Sequence, residues 1–386
     1  MIERALTGGR RYWTLIGVLL VLIGIGFLTY LKQFQEGLGI TGMGRDVPWG
    51  FYIAQFTFLV GVAASAVMVV LPYYLHDFKA FSRLVILGEF LAIPSVIMCV
   101  LFILVDLGQP FRMLNIVLHP TWNSLMFWDM VSLGGYLGLN VIITFVTFTA
   151  YKKHVPPPRW IRPIIILSVP WAVSIHTVTA FLYAGLEGRA FWMTAILAPR
   201  FLASAFAAGP SLLILLCLIV RKYTDYDPGK KAIQKLGEIV TYAMLANVFF
   251  ILLELFTALY SDIPEHTDHF KFLFFGFEGN TTLVPWMWTS VTLAIISLVL
   301  LLVPRLRKDE RFLGLGAVTV ISSIWIDKGL GMVVTGFIPT TMHKSASYWP
   351  TLPEFTIGIG VYAIGFLILT VLYKVATSHA EDLAAH

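Results

Sequence analysis

The stretch DLGQPFRMLNIVLHPTWNSLMFWD, residues 106–129, lies between two strongly apolar runs, 84–105 and 125–150. Each run is about long enough to cross a bilayer as a helix, which takes roughly 20 residues. The stretch between them holds Asp106, Arg112, Asn115, His119, Asn123 and Asp129. It reads as a polar turn where the chain leaves the membrane and re-enters it.

The same reading extends along the chain. Ten spans are predicted at 12–31, 49–75, 84–105, 125–150, 161–184, 198–220, 236–260, 285–303, 312–334 and 355–375. With 386 residues, 58% hydrophobic and 13% charged, no soluble core hides so much apolar surface. Helices are expected because lipid offers backbone amides no partner, and the alternating pattern of a barrel is absent. The fold class is therefore all-α integral membrane, in one membrane domain over 1–386. Spans two to five (49–184) are expected as a first four-helix bundle and spans six to nine (198–334) as a second, with spans one and ten peripheral. The basic, then apolar N-terminus lacks a small-residue exit and reads as a retained first helix.

Ten spans put both termini on one side. Counting Lys and Arg from Arg4 onward, 19 fall on the side of the termini and 7 on the other. That bias predicts cytoplasmic termini in a prokaryotic inner membrane. The net charge of +5 is thus a topology signal rather than a nucleic-acid footprint. The outer connections are longer and rich in Trp, Pro, Gly and Asn, as expected of a lid or a docking face. WNSLM (122–126) and WMTAI (192–196), each before a span, hint at related halves.

Ionisable groups at membrane depth are costly and default to function. His176, Asp129, Gln55, Arg200 and Asp106 fall in one band near the outer face, with Ser204 beside Arg200. Glu254, the neighbours Asp327 and Lys328, and Glu89 lie deeper or lower and are candidates for a proton route, or for interhelical ion pairs that fix packing. Of nine histidines only His176 lies within a span, which disfavours bis-histidine haem. Cys99 and Cys217 stand alone in apolar helices, so neither an iron–sulfur cradle nor a metal site is expected. A diffusible quinone fits such a chain: His with Asp exchanges protons near neutral pH inside an aromatic, apolar pocket. The composition alone fits a secondary transporter or a purely structural anchor as well. Pro94 and Pro170 are candidate helix breaks for the transporter.

Three motifs add a resemblance. VDLGQPFRMLNIVLHPTWNSLMFWD, PWGFYIAQFTFLVGVAASA (48–66) and SIHTVTAFLYAGLEGRAFWMTAILAPRFLASAFAAG (174–209) resemble the NrfD/polysulfide-reductase membrane-subunit family, in its ten-span HybB- and ActC-like branch. The segment KQFQEGLGITGMGRDVPWGFYIAQF (32–56) most resembles the DsrP-like members, which belong to DsrMKJOP complexes of sulfur-metabolising prokaryotes. The resemblance implies a quinone-reactive membrane subunit, with menaquinone the expected type, and a periplasmic-side iron–sulfur protein and other subunits as partners. It carries over Asp106, His119, Ser124, Trp128, Asp129 and His176. His176 and Asp129 are expected to exchange protons. Gln55, Asp106, Arg112, His119, Ser124, Trp128, Arg200 and Ser204 are expected around the quinone. Gln109 stands where the family often has Arg, and Arg112, one turn on, is its expected substitute.

Overall fold

Apolar side chains at every helical position, with polar residues confined to the ends, leave the helix as the only way to pair the backbone in lipid. The computed structural model accordingly contains ten helices long and apolar enough to span a membrane among the residues it describes, 7–76, 78–153 and 155–384. Arg4, His154 and His386 of the sequence reading lie outside those residues. The spans are α1 (Arg10–Glu36), α2 (Phe51–Tyr74), α3 (Lys79–Asp106), α4 (Leu125–Ala150), α5 (Ile161–Ala184), α6 (Leu197–Tyr223), α7 (Lys230–Ser261), α8 (Val284–Leu302), α9 (Glu310–Thr335) and α10 (Leu352–Thr377). Connections after odd-numbered spans lie on one face, the long-loop face; those after even-numbered spans lie on the other, the short-loop face. The chain is an integral, multi-pass membrane protein.

Helices α2 to α5 pack in sequence, as do α6 to α9, and α9 closes back onto α6. Helix α1 packs on α10, and α10 on α3. Helix α2 is the centre, with 94% of its most apolar window buried against 17% for α1. Its small residues explain this position. A methyl group at Gly209 of α6 would meet Ser65 Cβ at 2.8 Å and Gly61 O at 3.2 Å. Small residues let the two backbones cross closely, which is how helices gain packing energy where lipid supplies no hydrophobic drive.

The same device holds α1. A methyl at Gly26 would lie 2.7 Å from the Gly360 Cα. Gly26→Leu is therefore expected to lift α1 from α10 while leaving the rest folded. Faster hydrogen exchange confined to α1 and its α10 contact would show this; unchanged protection there would contradict it.

Helices α3 and α5 run unbroken through Pro94 and Pro170, so the expected breaks are absent. The long-loop face carries an element the sequence reading left as loop, the helix Pro264–Phe274. The buried carboxylate of Glu354 gathers this face. It accepts from Gly42 N (2.8 Å), Thr351 N (2.8 Å), Thr351 Oγ1 (3.1 Å) and Tyr348 Oη (2.7 Å). Tyr348 Oη in turn accepts from Phe51 N at 2.6 Å, at the start of α2.

Candidate functional site

Two buried polar groups lie on either side of α2. The first joins α4 to α5. Asp129 and Thr179 are both buried, with Thr179 Oγ1 2.7 Å from Asp129 Oδ1 and 2.7 Å from the Ile175 carbonyl. One hydroxyl proton serves only one of these acceptors at a time. An ionised Asp129 receives it; a protonated Asp129 donates to Thr179, which then donates to Ile175. The pair thus accommodates both states of the carboxyl group without leaving an oxygen stranded.

His176 lies three residues before Thr179, on the same side of α5, and is fully buried. Its Nδ1 is 3.0 Å from the Ala172 carbonyl. A carbonyl only accepts, so Nδ1 carries the hydrogen and the neutral ring presents Nε2 as an acceptor. Nε2 is buried and has no partner. Such orphaned atoms are uncommon in folded proteins and need a reason.

Gln55 of α2 offers the complementary case. Its Oε1 accepts from Trp325 Nε1 and from Tyr362 Oη, each at 2.7 Å, while its buried Nε2 has no partner. Asp106 ends α3 with Oδ1 buried and unpaired. Close by, Gln33 ties three helices together. Its Nε2 donates to Val105 O at 2.6 Å and its Oε1 accepts from Tyr52 Oη at 2.7 Å. Sequence reading missed Gln33 because one Gln in an apolar span gives no hint of its partners.

A lateral groove of about 310 Å³ opens between α4 and α5, walled by Trp128, Ser132, Pro170 and Trp171. Trp128 is 44% exposed and donates to the Trp122 carbonyl at 2.8 Å. Ser124 is half-buried at the head of α4. Arg112 and His119 are exposed on the 107–124 connection, whose apolar side chains Phe111, Leu114 and Leu118 are exposed as well. They surround the approach to this region rather than joining its buried groups.

The second polar group joins α6, α7 and α9. Arg200 Nη1 is 2.5 Å from Glu254 Oε2, and Nη2 is 2.8 Å from both carboxylate oxygens of Asp327. All three side chains are close to nine-tenths buried. Sequence reading set Arg200 beside the quinone and the two acids on a separate route; the structure makes them one ion triad. Ser204 is buried and donates to its own helix at Phe201 O, 2.8 Å.

Asp327 and Lys328 lie in a π-helical turn, Trp325–Gly331, and diverge. Lys328 Nζ sits 4.2 Å from the Phe201 ring centroid, 3.4 Å from Phe201 O, and within electrostatic range of His176. Lys328 thus stands between the two polar groups. Glu89, nearer the short-loop face, accepts from Thr147 at 3.2 Å and keeps Oε1 unpaired. Among the described residues no three His, Cys, Asp or Glu side chains are placed to hold a metal ion.

Fold and site together define a ten-helix membrane protein with buried proton-exchanging groups flanking a central span. The chain belongs to the polysulphide reductase, NrfD family, whose model matches residues 39–327. It is similar to three relatives along most of its length. The "Hdr-like menaquinol oxidoreductase integral membrane subunit" of Archaeoglobus fulgidus is 23% identical, over 94% of this chain and 93% of the relative. A subunit of the selenate reductase of Mesobacillus selenatarsenatis is 21% identical, over 97% and 96%. The "Menaquinone reductase, integral membrane subunit" of Nitratidesulfovibrio vulgaris is 21% identical, over 92% and 88%.

Proposed function

We propose that this chain is the quinone-reactive membrane subunit of a multi-subunit oxidoreductase, holding a quinol headgroup in the first bundle. The observation that carries the reading is the buried, partnerless Nε2 of His176, one helical turn from the Thr179–Asp129 pair. Membership of the family and the naming of two relatives for menaquinol and menaquinone support it, and favour a menaquinone-type ligand.

The residues fit such a ligand. A quinol bound there supplies two electrons together with two protons. His176 Nε2 is an acceptor for one hydroxyl proton. Asp129 takes the other, with Thr179 switching between Asp129 and Ile175 as the charge changes. Gln55, fixed by Trp325 and Tyr362, presents its amide N–H to a carbonyl oxygen. Trp128 and Trp171 wall the lateral groove through which an isoprenoid tail leaves toward lipid. Burial of all three polar groups excludes bulk water from the exchange.

The orientation belongs to the same proposal. The Lys and Arg excess on the short-loop side and at the termini supports a cytoplasmic placement of that side. The long-loop face, with Arg112 and His119, then faces an iron–sulfur partner and the other subunits of the complex. The resemblance of residues 32–56 favours partners of the sulfur-metabolising kind. Glu89, Lys328, Asp327 and Glu254 provide a route for protons across the bilayer, so turnover in proteoliposomes should build a membrane potential.

A fluorescent quinol-analogue inhibitor tests the reading. Wild-type protein should quench it stoichiometrically. His176→Ala and Asp129→Asn should each weaken binding at least about 10-fold, the worth of roughly one good hydrogen bond, in protein that still elutes as folded. Equal quenching by wild type and both variants would place the headgroup elsewhere.

A further inference from the structure

We infer that the second bundle carries its own ligand site, a groove at the long-loop face that takes an apolar molecule presenting a hydroxyl donor. It goes beyond the quinol reading of the first bundle and stands without it.

The groove has a volume of about 340 Å³, within the range of small-molecule sites. It is bounded by the connection before α6, the end of α7 and the helix Pro264–Phe274. Phe191, Met193, Ile196, Ala258 and Phe270 make its walls apolar, and Glu254 closes its inner end. Beneath it, a void of about 20 Å³ reaches Arg200 and Asp327, room for about one water. The Phe191 and Phe270 rings, 5.6 Å apart and edge to face, line both spaces and partition them.

The chemistry of the inner end selects the ligand. Glu254 Oε2 is held by Arg200, but Oε1 is buried with no donor. Arg200 has nothing left to offer in that direction, because its other terminal nitrogen is spent on both oxygens of Asp327. Two carboxylates face one guanidinium, so an anion is disfavoured. The aromatic and aliphatic walls disfavour a small hydrated cation. A neutral O–H donor on an apolar body satisfies both the orphaned oxygen and the walls. A quinol and a hydroxyl-bearing lipid share this chemistry.

The test is photolabelling of the full chain in nanodiscs with a naphthoquinol bearing a diazirine on a short alkyl tail, read by peptide mass spectrometry. Label is expected on peptides containing Met193 and Phe270. Ala195→Trp, which fills the exposed mouth of the groove, should reduce that label at least 5-fold; unchanged circular dichroism and elution volume would show the variant folded. Glu254→Gln should reduce it as well. Competition by excess unlabelled naphthoquinol would identify quinol as the source, and competition by phosphatidylglycerol would identify lipid. Label absent from these peptides, or insensitive to Ala195→Trp, overturns the site. Label lost from the α4–α5 groove alone would count against the first-bundle reading and leave this one intact.

Discussion

Arg200→Met should destabilise the folded chain by about 3–5 kcal/mol, because it leaves two buried carboxylates facing each other without their guanidinium. Glu254 and Asp327 come from α7 and α9, so the variant pushes apart the two helices that Arg200 of α6 draws together. Unfolding followed by steric trapping in bicelles would measure it. The charge itself is not what the fold needs. Replacing all three members by apolar residues of similar volume should return stability to the wild-type level or above, since the desolvation cost disappears with the attraction. A loss below about 1 kcal/mol for Arg200→Met alone would mean that water or a counter-charge reaches the triad in the membrane.

The second large effect is expected at Glu354. Its carboxylate holds four donors from three separated segments, Gly42, Tyr348 and Thr351. Glu354→Ala strands all four and should cost about 3 kcal/mol, given roughly 1–3 kcal/mol for each stranded group and incomplete additivity. Tyr348 is affected most. Burial and the neighbouring carboxylate hold its hydroxyl well above the usual phenol range, so it stays a donor and needs an acceptor. Local exchange should rise over residues 40–51 and 340–351, with the spanning helices protected. Glu354→Gln should fall between, since its amide nitrogen cannot accept. Protection of both segments in Glu354→Ala would show that Trp and Pro packing alone holds the face.

How far these features could be read in advance depends on range. The ten spans were legible because each is a local run of apolar residues, and the observed ends fall within a few positions of the expected ones. His176 and Asp129 were legible as costly residues in lipid. Their link through Thr179 was not, since a threonine in a span usually bonds its own helix. The triad was misread for the same reason. Arg200 meets partners 54 and 127 positions away, and depth along the membrane normal does not reveal which bundle a side chain faces. The Glu354 hub did leave a signal. Thr351 and Glu354 form the T-x-x-E pattern of a helix start, and the Glu354 side chain does reach back to Thr351 N. Only the further reach to Gly42 and Tyr348 required the tertiary fold.

The π-helical turn in α9 gives that span a phase shift. Ser323, before the turn, exchanges hydrogen bonds with Ser290 of α8. Met332, after it, receives Trp192 from the long-loop face at 3.0 Å. A π turn accommodates one residue more than the α-helix it interrupts, and one residue is worth about 100° of rotation. A one-residue deletion between 325 and 331 would straighten the helix, but it would turn one end away from its partners. Substitution can change what α9 carries, whereas any change in its length is converted into rotation.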